Sequence, residues 1–179
     1  QDNLEAATEA ERWEALEDAL RTQPLQGSCK RVILAPDLPR DPTGRYHLQA
    51  LPTQTVATGR VFRLCKLMQP GHVFNKVQVC RWTDCTQCGW HFDRKNRGKS
   101  KSCIAGKDLV GGGLMFRDGR VFDAQREWFE YDGSQEEHCV APFTGERLSS
   151  VLFNDGDATP WTYLDDLGEY WPDMFAQVV

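Results

Sequence analysis

From residue 59 to residue 154 the chain is cut into short apolar runs separated by turn residues, and this texture limits the folds open to it. The runs are VFRLCKL (61–67), FNKVQVCRW (74–82), KSCIAG (101–106), GGLMF (112–116), RVFDA (120–124), EWFEYDG (127–133), HCVAPF (138–143) and RLSSVLFN (147–154). Gly98, Gly111–Gly113, Gly119, Gly133 and Gly145 mark the breaks. Runs recurring about every ten residues with glycine between them predict an antiparallel sandwich or barrel. The expected class is mainly β with flanking helices.

The flanks read differently. Over 3–22 Ala, Glu and Leu dominate, and Trp13, Leu16 and Leu20 recur at helical spacing. Pro24 and Gly27 stop that helix, and RVILAP (31–36) reads as a short strand. Residues 37–58, rich in Pro, Thr and Gly, read as irregular. Near the end Thr159-Pro160 is an N-cap and first-turn pair that would open a short helix over 160–168, closed near Gly168. The expected organisation is an N-terminal helix and linker (1–30), a β domain (31–158, core about 59–156) and a C-terminal helix and tail (159–179).

Bulk properties exclude several classes. No apolar run approaches the ~20 residues that a membrane helix needs, and no partner membrane is expected. The chain opens on Gln1 rather than Met, which reads as a piece of a longer protein. Its seven cysteines (29, 65, 80, 85, 88, 103, 139) show no evident disulfide spacing apart from the close pair Cys85 and Cys88. That usage points to thiols in a reducing, intracellular compartment, nuclear or cytoplasmic. Net charge is −5, so the whole chain is no indiscriminate polyanion binder, yet Arg94, Lys95, Arg97, Lys99, Lys101 and Lys107 fall in a stretch without an acid. This run is either a solvated loop or a guide for an anionic substrate.

The chemistry concentrates in CGWHFDRKNRGKS (88–100). On a strand, His91 and Asp93 point to one face and Phe92 to the other. One imidazole and one carboxylate are two-thirds of a 2-His-1-carboxylate facial triad, which holds Fe(II) and leaves positions open. A second histidine must come from elsewhere, and His138 opens a strand candidate downstream. Arg147 and Ser149 share a strand face in the next run. A guanidinium fork beside a hydroxyl suits a terminal carboxylate. Two alternatives stay open. His91 and Asp93 can be a surface pair in a polar loop. Alternatively, Cys80, Cys85, Cys88, His91 and Cys103, within 24 residues, can supply a tetrahedral zinc site for a non-catalytic binding module. The Gly111–Gly113 run lacks the Lys-Ser/Thr of a phosphate loop and reads as a bulge or tight turn. Trp128, Phe129 and Tyr131 read as barrel core and outer face, and Asp132-Gly133 as a turn.

The ordered set of motifs resembles the 2-oxoglutarate- and Fe(II)-dependent dioxygenases with a double-stranded β-helix (jelly-roll) fold. It looks most like the branch common in algae, marine protists and their viruses, distantly related to the TET/JBP nucleobase hydroxylases. The resemblance spans 74–154 through FNKVQVCRW, HFDRKNRGKS, AGKDLVGGGLMF, VFDAQREWFEYDGSQEEH and APFTGERLSSVLF. Cys80 stands where that branch often has Asn. The resemblance implies His91, Asp93 and His138 as iron ligands, and Arg147 and Ser149 as holders of the distal carboxylate of 2-oxoglutarate. It implies Fe(II), 2-oxoglutarate and O2, with ascorbate as a conceivable reductant, and hydroxylation of a C–H bond. The implied substrate is a methylated nucleobase in nucleic acid, with a protein side chain as the alternative. Arg94, Lys95, Arg97 and Lys99 would guide it.

Overall fold

A computed structural model describes residues 4–23, 31–34, 53–74, 76–85 and 89–154. Among the described residues two helices come from the first 68 positions, α1 (Glu9–Arg21) and α2 (Thr53–Met68). The strands are β1 (Arg31–Leu34), β2 (Lys76–Cys85), β3 (Ser100–Ala105), β4 (Val110–Gly111), β5 (Leu114–Phe116), β6 (Val121–Phe122), β7 (Phe129–Tyr131), β8 (His138–Val140) and β9 (Phe143–Phe153). The 160–168 helix expectation lies outside the described residues.

Two antiparallel sheets result. The larger runs β1-β2-β9-β3-β7, with β4 also pairing to β9, and the smaller runs β6-β5-β8. Ile104, Tyr131 and Phe143 of the larger sheet pack with Leu114, Phe116 and Val140 of the smaller one, so one core lies between the sheets. A second core covers the other face of the larger sheet. There Trp13, Leu16 and Leu20 of α1 and Val61, Phe62, Leu64 and Cys65 of α2 meet Val77, Val79, Cys103, Leu148 and Leu152.

β9 shows how this sandwich sorts residues. Side chains on a strand alternate between faces. Leu148 and Leu152 join the helix-side core, while Val151 packs on the inter-sheet core. Arg147 and Ser149 share the parity of Val151 and therefore face the space between the sheets. Both are buried.

The helix α1 forms as its sequence predicts. Thr8 caps it: its hydroxyl accepts the Glu11 N–H, and the Glu11 carboxylate accepts the Thr8 N–H, closing a capping box. The run 61–67 departs from expectation. It is not a strand but the C-terminal half of α2, and 53–58, read as irregular, are helical too. Seven apolar-rich residues cannot by themselves separate a buried strand from a buried helix. Burial of Val61, Phe62, Leu64 and Cys65 falls at i, i+1, i+3 and i+4, which is one helix face. Among the described residues no helix is long and apolar enough to cross a membrane.

Candidate metal centre

The first histidine is placed by backbone pairing with the second. His91 donates its N–H to the His138 carbonyl and accepts the His138 N–H, both at 3.0 Å. This single antiparallel bridge stands in for the expected strand at 91–93. Two residues on, the Asp93 N–H donates to the Gly133 carbonyl at 2.7 Å. The segment 91–93 is thus tied at one end to the start of β8 and at the other to the turn between β7 and β8, and alternation turns both polar side chains to one side.

The three side chains meet. Asp93 Oδ1 lies 3.9 Å from His91 Nε2, and Oδ2 lies 3.3 Å from His138 Nε2. The histidine ring centroids are 4.5 Å apart, and one donor atom from each of the three residues falls within 4.8 Å of the others. Bonds of about 2 Å to a shared ion place donors at comparable separations. Both rings are also oriented. His91 Nδ1 is 2.9 Å from the Gly89 carbonyl, and His138 Nδ1 is 2.7 Å from the Glu136 carbonyl. A carbonyl oxygen only accepts, so each Nδ1 carries the proton and each Nε2 presents its lone pair to the common point. Two imidazole nitrogens and one carboxylate oxygen are the donor set of a facial triad suited to Fe(II).

The surroundings are asymmetric. The His138 side chain is 3% exposed, Asp93 33% and His91 48%, so the triad is open on the His91 side. Tyr131 stands edge-on to His138 at 5.2 Å between centroids, and Phe116 lies at 6.0 Å. Burial lowers the His138 pKa, but with no ion bound the protonated ring donates to the Asp93 carboxylate and the Glu136 carbonyl, and these bonds with the charges of Asp93 and Glu136 outweigh burial, so the net direction is upward.

Arg147 and Ser149 lie side by side on the inner face of β9. The Arg147 Nε donates to the Gly112 carbonyl at 2.7 Å and Nη1 to the Ser149 hydroxyl at 3.1 Å. Glu146, on the opposite parity, pairs instead with Arg21 of α1 at 2.9 Å. Tyr131 feels the charges of both Asp93 and Arg147. Burial pushes its hydroxyl well above the usual phenol range, Asp93 adds to this, and Arg147 opposes it. Cys80 sits opposite Ser149 in the β2–β9 register, where the resemblance expects Asn.

Among the described residues the cysteines do not assemble into a metal group. Cys103 belongs to the helix-side core, on the other face of the larger sheet from Cys85, which packs on the inter-sheet core. Burial pushes the Cys103 thiol up to about 12 and raises Cys65 strongly. Cys65, Cys80, Cys85, Cys103 and Cys139 are not in disulfides. Among the described residues the candidate metal group is His91, Asp93 and His138, with no cysteine. Cys80, Cys85 and Cys103 therefore form no zinc cluster of their own, and Cys88 lies outside the described residues. The cations Arg94, Lys95, Arg97 and Lys99 are exposed. Lys99 pairs with Glu130 at 3.0 Å, and the Arg94 guanidinium lies 4.0 Å over the Phe92 ring.

Similarity to solved structures bears on the fold. A 2OG-Fe(II) oxygenase family oxidoreductase from Burkholderia pseudomallei aligns with a TM-score of 0.56 at 16% identity, over 80% of this chain and 78% of that one. The fold is that of a 2OG-Fe(II) oxygenase. NgTET1 in complex with 5mC DNA aligns at 0.41 and 18% identity, over 46% of this chain and 34% of its own, so the chain spans about a third of that protein. A Pseudomonas putida prolyl-4-hydroxylase aligns at 0.44 and 16% identity, over 86% and 87%. No protein-family description matches the chain, and no curated protein matches it in sequence. On this oxygenase fold, the residues that sequence reasoning missed are the neighbours of the triad and of Arg147. Gly112 has a φ of +77° and its carbonyl receives Arg147, while Gly133 abuts Asp93. The glycine run gave the only sequence signal for the first. Nothing distinguished the second from a turn.

Proposed function

We propose that this chain is an Fe(II)- and 2-oxoglutarate-dependent dioxygenase that hydroxylates a C–H bond. The observation that carries the reading is the meeting of His91, Asp93 and His138 through oriented Nε2 atoms and one carboxylate. With Fe(II) bound there, 2-oxoglutarate and O2 supply the oxidising power, and the co-substrate leaves as succinate and CO2.

The chain's own part is to bind, orient and exclude water. His91, Asp93 and His138 hold the ion on one side. Arg147 and Ser149 receive the distal carboxylate of 2-oxoglutarate through a guanidinium fork and a hydroxyl. The Gly112 carbonyl fixes Arg147 Nε and so aims the fork. Phe116 and Tyr131, both buried, line the His138 side and keep water from it. The substrate approaches from the exposed His91 side.

The substrate we propose is nucleic acid carrying a methylated base. It is supported by the motif resemblance and by exposed Arg94, Lys95 and Arg97 next to the triad, since local cations hold phosphates. The test is mass spectrometry of methylated DNA, RNA and peptide pools incubated with Fe(II), 2-oxoglutarate and O2. A hydroxylated base accompanied by stoichiometric succinate is the expected result. A modified peptide alone would move the substrate to protein, and no product in any pool together with no succinate would oppose the oxygenase reading.

A further inference from the structure

Gly133 is not needed for its backbone. It is absent from the positive-φ glycines, which are Gly98, Gly106, Gly111, Gly112, Gly119 and Gly145. Left-handed geometry, the usual reason for glycine in a turn, therefore does not apply. What the position lacks is space. A Cβ there would lie 3.0 Å from Asp93 Oδ2, 3.2 Å from Tyr131 Cε2 and 3.4 Å from Asp93 Cβ. Two of these are tighter than side chains ordinarily accept, so a neighbour would have to shift.

Which neighbour gives way decides the consequence. The Tyr131 ring is 4% exposed and held edge-on between Phe116, at 5.6 Å, and His138, at 5.2 Å. The backbones are locked by the 2.7 Å bond from the Asp93 N–H to the Gly133 carbonyl. The Asp93 carboxylate is the part with freedom to rotate. Its Oδ2 is also the oxygen that stands 3.3 Å from His138 Nε2. Turning it away from residue 133 takes it off the point that both histidines face.

We infer that Gly133 is a positioning residue: the room it leaves beside Asp93 sets the aim of that carboxylate toward the point shared with His91 and His138. The inference rests on the metal-holding reading of the triad. It adds that the turn running from β7 into β8 serves the metal twice, through His138 at its end as a donor and through Gly133 as a spacer. The same residue thus holds Asp93 from both sides, by a hydrogen bond to its backbone and by clearance beside its side chain.

The test is an anaerobic Co(II) titration of wild type, Gly133→Ala and Gly71→Ala, following the d–d absorption and, in parallel, the melting temperature of the metal-free proteins. Gly71 is a suitable control because a Cβ there meets nothing within 4 Å. Gly133→Ala should bind Co(II) at least about tenfold more weakly, the scale of other changes to a metal ligand's supporting contacts, with an altered band shape. Gly71→Ala should match wild type. Wild-type affinity and band shape in Gly133→Ala would overturn the inference while leaving the metal reading intact. A wild-type protein that takes up no Co(II) would overturn both. A second measurement covers poor folding of the alanine variant. Gly133→Ala should cost more melting temperature beside Asp93 than in an Asp93→Ala background, where the carboxylate is gone. Equal losses in the two backgrounds would show that the added methyl group meets something other than Asp93, and would overturn the inference.

Discussion

His138 pairs its backbone with His91, donates Nδ1–H to the Glu136 carbonyl and turns Nε2 toward Asp93. Replacing it with alanine removes a donor and leaves Asp93 facing an empty space. His138→Ala and Asp93→Ala should each abolish substrate-dependent succinate release, measured by coupled assay, while far-UV circular dichroism stays that of the wild type. Arg147→Ala predicts the opposite split. The 2-oxoglutarate requirement should rise by one or two orders of magnitude, since a charge-assisted bidentate contact contributes about 1.5–3 kcal/mol, and metal affinity should hold. An unchanged requirement would place the carboxylate anchor elsewhere. That the H-x-D pair meets a distal histidine was legible in the sequence, because the chain has only four histidines and H-x-D sets two donors on one face. Gly133 and Gly112 were not. A glycine's role depends on which atom stands opposite its missing Cβ, and no sequence pattern records that.

The elements show why one run was misread. β2, β3 and β5–β9 fall where apolar runs and glycine breaks place them, whereas VFRLCKL forms half of α2. The run's burial is helical, but its residue types are equally at home in a strand. Phe62 is 1% exposed in the helix-side core, so Phe62→Ala should cost about 3–5 kcal/mol in chemical denaturation. α1 is docked by charge as well as by Trp13, Leu16 and Leu20. Arg21 bridges Glu17 and Glu146 at 3.2 and 2.9 Å, and Arg126 reaches Glu17 at 2.8 Å. Burial raises the Glu146 pKa, but the hydrogen bond and charge of Arg21 outweigh it and the net direction is downward. A carboxyl depressed in the folded state contributes stability above its unfolded value, about 4.5, and loses it as pH falls through the folded value. Arg21→Met should therefore lower the melting temperature at neutral pH and flatten the acid limb below about pH 4.5, where the two proteins converge, as read by melting temperature against pH.

At the scale of the molecule, the sandwich converts distant sequence positions into one site. β9 lies between β2 and β3 in the larger sheet, and β8 pairs with β5 in the smaller. His138 and Arg147 therefore enter the same inter-sheet space from opposite walls. Period and turn chemistry made an antiparallel sandwich or barrel readable, because both are local, and the jelly roll came from the motif resemblance. The sequence did not show which strands pair, since β2 against β9 spans most of the domain and is decided by how two faces of one strand are buried at once. The central claim is that three side chains from two of these segments hold a single ion. Anaerobic equilibrium dialysis against Fe(II), with metal content read by mass spectrometry, tests this most directly. The wild-type protein should retain one equivalent and the His138→Ala variant none, whereas equal retention by both, or wild-type protein that retains no iron, would contradict it.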